Sequence, residues 1–181
     1  MRNFIGFLGL CGISLFLFSP AAQGETGRSK GFLQVQKLQN RGNEDAGYLI
    51  GFRSASYLAK SDMYWGYELH AGSASGRRLE DDHLTYGGLA FGTDGVAGGT
   101  ITYDLSTAVG YGFGSIGSLA YQGHSAAIHP TLSLGLVLQN GYRASFSAGY
   151  LYLPSASPFS TFTFGIRIER KVTYNPTYGN N

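Results

Sequence analysis

The stretch TITYDLSTAVGY, residues 100 to 111, alternates with a period of two. Thr100, Thr102, Asp104, Ser106 and Ala108 form one set, and Ile101, Tyr103, Leu105, Thr107, Val109 and Tyr111 the other. Successive side chains of an extended chain point to opposite faces, so this is a strand with one apolar, aromatic face and one small, polar face. The pattern recurs in GYLIGFRSASY (47–57), MYWGYELHAG (63–72), TLSLGLVLQ (131–139), YRASFSAGYLY (142–152) and STFTFGIRIER (160–170). HLTYGGLAF (83–91) follows it less cleanly, and its Gly87-Gly88 pair reads as a bulge. Beyond residue 30 no segment sustains a long helical period. The chain is therefore all-β, and its environment depends on which strand face meets the outside.

The polar faces are mostly Ser, Thr, Gly and Ala. Their ionisable members are Arg53, Glu68, His70, Asp104, Arg143, Arg167 and Glu169. Three arginines balance three acids, which suits an enclosed lumen where charges need partners. A sheet facing water would carry long Lys and Glu side chains instead. The apolar faces, with Tyr and Trp towards strand ends, suit lipid and its interfacial girdles. Several strands reach the roughly 9–11 residues that cross a bilayer. Leu136, Phe164 and Ile166 are expected to face lipid near its middle. The alternative is a soluble lipocalin-like binding barrel with its apolar faces inward.

Composition argues against that alternative. Arg2 is followed by an apolar run at 4–18 and then SPAAQG, the three parts of a secretory signal peptide. With cleavage after Gly24, residues 1–24 leave, and the rest carries 23 charged residues in 157 (12 basic, 11 acidic). That fraction is well below the roughly 25% of soluble domains. The near-zero net charge gives no footprint for nucleic acid. The single cysteine, Cys11, lies within the signal, so the remainder has no disulfide or thiolate chemistry.

Turn chemistry predicts antiparallel registers. A Lys60-Ser61 turn sets Arg53 opposite Glu68. Asp94-Gly95, a favoured type I′ pair, sets Thr85 opposite Asp104 and Tyr86 opposite Tyr103. A turn centred on Ala156 sets Arg143 opposite Glu169 and Tyr150 opposite Phe162. Leu138 and Tyr142 share a face, so their loop has an odd count, Gln139-Asn140-Gly141, with Gly141 left-handed. Eight strands result if 31–40 is a strand and 112–129 a long loop. The competing count takes 116–123 as the eighth strand and 31–40 as a short amphipathic helix, on the spacing of Phe32, Val35 and Leu38. With 31–40 as a strand and 112–129 as the long loop, short turns fall on one side, and RGNEDA, GRRLEDD, the long loop and PSASP on the other.

Over residues 31–171 the chain resembles the small outer-membrane β-barrels of Gram-negative bacteria, of the eight-stranded kind seen in OmpX and the membrane domain of OmpA. The resemblance rests on pattern and carries no family signature. The aromatic C-terminal residue usual in the final strand is absent, and 172–181 reads as a polar tail. The resemblance implies a closed antiparallel up-and-down transmembrane barrel over 25–171. It implies residence in the outer membrane among its lipids and lipopolysaccharide, and assembly by the barrel insertion machinery.

Candidate chemistry is sparse. GHSAAIHP (123–130) brings His124, Ser125 and His129 into the expected long loop, but neighbours on a strand point opposite ways and no acid is close in sequence. The His-x-Ser motif of lipid A deacylases is absent, and His83-Leu84-Thr85 only echoes it. Two histidines without carboxylates or thiolates fall short of a metal site. Arg77 and Arg78 could meet lipopolysaccharide phosphates, although a solvated loop is the default. No catalytic, cofactor-binding or metal-ligating residues are assigned. The expected role is structural or surface-interactive, with a plugged polar lumen. A lipid A acyl hydrolase or transferase is the enzymatic alternative.

Overall fold

The computed structural model describes residues 27–39, 47–73, 82–116, 121–154 and 159–174. The signal segment, the GRRLEDD arginines, the turn centred on Ala156 and residues 175–181 lie outside them. Eight strands follow in chain order: β1 Gly27–Gln39, β2 Tyr48–Tyr57, β3 Met63–Ser73, β4 Asp82–Ala97, β5 Ile101–Ile116, β6 Tyr121–Val137, β7 Tyr142–Leu153 and β8 Phe159–Tyr174. Each pairs antiparallel with its sequence neighbours, and β8 pairs with β1, closing the sheet. Closure leaves no unpaired edge along the ring.

The register fixes the barrel's shape. A path across the ladders from Ser29 runs through Ser56, Trp65, Phe91 and Thr107 to Pro130, which the Ile128–Tyr152 and Thr131–Gly149 pairs set level with Tyr150, and on to Phe162 and Gln39. It returns to β1 ten residues beyond its start (39 − 29). With about 3.3 Å rise and about 4.8 Å strand spacing, that stagger tilts the strands by roughly 40°.

Ile101, Tyr103, Leu105, Val109 and Tyr111 are exposed on the outer surface, while Thr102, Asp104, Ser106 and Ala108 are buried inside. The same assignment holds around the ring, with Leu33, Ile50, Tyr67, Phe146 and Ile166 outward and Arg53, Glu68, Ser147 and Arg167 inward.

Several expectations about register match the structure. Arg53 pairs with Glu68, Arg143 with Glu169, and Tyr150 with Phe162. The Leu138 amide donates to the Tyr142 carbonyl across a three-residue loop, and Gly141 has φ 77°.

Others require correction. Asp94-Gly95 is not the β4–β5 turn: the strand runs on to Ala97, and the turn falls at Gly98-Gly99, both at positive φ. Thr85 therefore faces Phe113, Tyr86 faces Gly112, and Asp94 faces Asp104. A register shift of odd size exchanges the two faces of a strand, so Tyr86 points inward and Thr85 outward. No bulge interrupts β4 at Gly87-Gly88, which keep register with Leu69 and Glu68. The expected long loop is mostly strand: β5 continues to Ile116 and β6 begins at Tyr121. Pro130 obscured this, because proline cannot donate to a ladder. The β6–β7 pairing skips from Ile128 to Thr131 around it without changing register. Of the stretch 116–123, Ile116 ends β5 and Tyr121 to Gly123 begin β6, and 31–39 is no helix but the greater part of β1. Finally, β8 enters the expected tail as far as Tyr174, because β1 starts at Gly27 and offers it a partner.

Candidate functional site: the charged barrel interior

Alternation turns every second residue of eight strands into one enclosed column, and the column is layered. The end that holds the short turns is charged. Asp94, fully buried, accepts from Tyr57 Oη at 2.7 Å, Lys171 Nζ at 2.9 Å, Arg143 at 3.1 Å and Lys30 Nζ at 3.2 Å. Lys30 also bonds Asp104 and lies 3.5 Å from Glu169. Its ammonium sits 3.5 Å from the centroid of the Tyr64 ring.

The next layer holds two guanidiniums. Arg53 Nε donates to Glu68 Oε2 at 2.7 Å, and its Nη1 donates to Tyr64 and Ser106. Arg167 donates to Asp104 at 3.0 Å and to Gln34. The Phe32 ring is within cation–π reach of both, 4.7 Å from Arg53 and 4.0 Å from Arg167. Both guanidiniums also approach Asp104 Oδ1, at 3.8 Å and 3.0 Å.

Above these lies a cluster of Glu68, His70, His129 and Tyr86. His70 Nε2–H donates to Glu68 Oε1 at 2.7 Å, and His70 stacks on Tyr86 at 4.6 Å. Tyr86 Oη and His129 Nδ1 are 2.6 Å apart. With the hydroxyl donating there, His129 Nε2–H donates to Thr163 at 3.0 Å. Glu68, His70 and His129 bring one ligand atom each to within 4.8 Å of one another. Glu68 Oε2 is already committed to Arg53, so a divalent ion here would face a guanidinium across one carboxylate. The set therefore forms a hydrogen-bonded bridge across the lumen.

Towards its far end the column carries an apolar layer, with Ser73 and Asp82 buried at the same end. Leu38, Leu49, Leu84, Tyr86, Ala127, Leu151 and Leu153 form one buried cluster. Outside this level polar residues, Lys37, Gln39, His83, Thr85 and Ser115, stand among the aromatic Tyr48, Phe113, Tyr152 and Phe162.

All seven lumen charges named from sequence lie in the interior: Arg53, Glu68, His70, Asp104, Arg167 and Glu169 are buried, and the Arg143 side chain is 11% exposed. The sequence reading missed Lys30, Asp82, Asp94, His129 and Lys171. Among the described residues the interior holds five cations (Lys30, Arg53, Arg143, Arg167, Lys171) and five acids (Glu68, Asp82, Asp94, Asp104, Glu169). The signal for His129 was present, since extending the inward parity of Thr131 and Ser133 back past Pro130 reaches it. Ser125 follows the same parity and is buried, whereas His124 is outward and stacks on Tyr111. The expected His124–Ser125 pair therefore stands on opposite faces of β6.

No family model matches the chain, and no curated protein sequence matches it. Solved structures do. Neisserial surface protein A (NspA) superposes with a TM-score of 0.59 at 8% identity, over 82% of this chain and 97% of that one. Ail, the attachment invasion locus protein of Yersinia pestis, gives a TM-score of 0.49 at 12% identity, over 82% of this chain and all of the other. The ring order, the antiparallel registers and the likeness to NspA agree: this chain has the fold of the small eight-stranded outer-membrane β-barrels.

Proposed function

We propose that the protein is a secreted barrel that resides in the outer membrane of a Gram-negative envelope, with a lumen plugged by its own side chains and a structural or surface-interaction role. One observation carries this reading: the apolar strand faces point outward while five cations pair inside with Glu68, Asp94, Asp104 and Glu169. A water-soluble barrel gains nothing from that inversion, because apolar burial drives folding in water. In a bilayer the outward residues meet hydrocarbon, and the ring satisfies the backbone without an edge. The reading includes export by a signal peptide cleaved after Gly24, assembly by the barrel insertion machinery, and contact with lipopolysaccharide.

Eight strands enclose just enough room for side chains to fill. Arg53, Arg167, Tyr64, Tyr86 and Phe32 occupy this interior, which supports a plug over a solute channel. The Glu68–His70–His129 cluster lies beneath the apolar layer, away from a substrate in either solvent, and this favours a supporting role over catalysis.

Gel mobility tests the reading. A closed barrel in detergent resists SDS until boiled, so unboiled and boiled samples should migrate differently, and extraction from cells should require detergent. Identical migration together with full solubility in plain buffer would return the chain to the lipocalin-like class.

A further inference from the structure

The outward strand faces are apolar or small over most of their area. Among the described residues two cations stand on them, Lys37 on β1 and Arg170 on β8, and both are exposed. No carboxylate among the described residues pairs with either. The two strands are neighbours across the closing seam: Lys37 is opposite Phe164, and Arg170 is opposite Gly31. Six β8 positions separate these levels, about 20 Å along the strand. Leu33, Val35, Ile166 and Ile168 lie outward between them.

Each cation has an aromatic beside it. Lys37 pairs across the β1–β2 ladder with outward Tyr48, and the Arg170 guanidinium lies 5.4 Å from the Tyr142 ring. A charge among hydrocarbon is costly, and long basic side chains avoid it by extending their heads to the interface. Heads extended in opposite directions from these two levels bracket an apolar band of about 25 Å, the usual height on such barrels. The anion that a bilayer offers at both depths is phosphate.

We propose that Lys37 and Arg170 each bind the phosphate of a lipid headgroup, one at each rim of the β1–β8 face, which makes this seam the barrel's lipid-phosphate site. The inference rests on the membrane reading above. It adds that, among the described strand residues, the outward basic side chains fall on one side of the barrel, since the outward faces of the other six strands carry no Lys or Arg.

The test uses the folded protein in nanodiscs of a phosphate-free glycolipid doped with phosphatidylglycerol, with retained lipid counted by native mass spectrometry. The wild type should hold two phosphatidylglycerol molecules. Lys37→Gln and Arg170→Gln should each hold one fewer, and Lys37→Arg should hold two. The same heat-dependent gel shift in every variant checks that folding is intact. Equal retention by wild type and both glutamine variants would overturn the proposal. Release of the lipid by an equal concentration of inorganic phosphate would overturn the lipid assignment in favour of a free anion. Failure of the wild type to enter the bilayer would overturn the membrane reading itself, and is seen before any lipid is counted.

Discussion

Arg53 and Glu68 face each other across the β2–β3 ladder, and the guanidinium holds one carboxylate oxygen through Nε at 2.7 Å and through Nη2. Both side chains are buried. Removing one partner strands the other charge, at a cost of about 3–5 kcal/mol for a fully buried pair, while removing both costs less. Arg53→Ala and Glu68→Ala should each lower unfolding stability in detergent by that order, and the double variant should recover part of the loss. Strictly additive losses in the double-mutant cycle would mean the pair is uncoupled. Arg143 and Glu169 should couple more weakly, because their contact is 3.5 Å and each also serves another partner, Asp94 and Lys30 respectively.

Asp94 gives a sharper test of register. As part of a surface turn it would be solvated, and Asp94→Asn would change stability by no more than about 0.5 kcal/mol. Inside the barrel it is the common acceptor for Lys30, Arg143 and Lys171. Neutralising it leaves three cations sharing fewer acids, with a loss of several kcal/mol, about the cost of breaking a buried pair. Asp62→Asn is the control, since its side chain is 66% exposed. Similar chemical-denaturation midpoints for the two variants would restore the turn at Asp94-Gly95.

Depth decides the cost of charge on the outer face. Ile166 lies between the Lys37 and Arg170 levels and is 66% exposed. Leu136 was expected near the membrane middle, yet it is one residue from the end of β6 and opposite Ile101, the first residue of β5. Arg at the midplane of such a barrel costs about 2–4 kcal/mol, and near an interface about 0–1 kcal/mol. Ile166→Arg should therefore destabilise the barrel in lipid vesicles well beyond Leu136→Arg. Equal penalties would place the two residues at equal depth.

The fold was legible wherever alternation was clean and the turn ambiguous in only one way. β2, β3, β7 and β8 read correctly because apolar and small residues alternate through their centres. β1 hid because its ends invert: Phe32 and Leu38 point inward while Lys37 and Gln39 point outward. Layering caused this, since the lumen turns apolar at the level of Leu38, Leu49 and Leu153. The β4–β5 turn was misplaced because Asp94-Gly95 and Gly98-Gly99 both tolerate positive φ, and local chemistry cannot choose between them. The choice is tertiary, made by three cations that surround Asp94 from β1, β7 and β8. His129 was lost with the segment that Pro130 disguised.

A tight side-chain contact in the lumen, Gly51 against His70, is open to a direct test. A Cβ built on Gly51 would stand 2.2 Å from both Cε1 and Nδ1 of His70, its partner across the β2–β3 ladder. That separation is far inside van der Waals contact, so Gly51→Ala must push the imidazole away. The ring cannot move freely, because it stacks on Tyr86 and donates to Glu68. Overpacking of this kind costs typically about 1–3 kcal/mol. The cost belongs to the clash with His70 and not to the strand, where alanine is at least as acceptable as glycine. In a His70→Ala background, which opens the space the imidazole fills, the added Gly51→Ala should be neutral or slightly stabilising. Unfolding free energies of the four proteins in one detergent measure this coupling directly. A Gly51→Ala penalty of the same size in both backgrounds would show that the glycine serves some other contact, and the placement of His70 against β2 would fail with it.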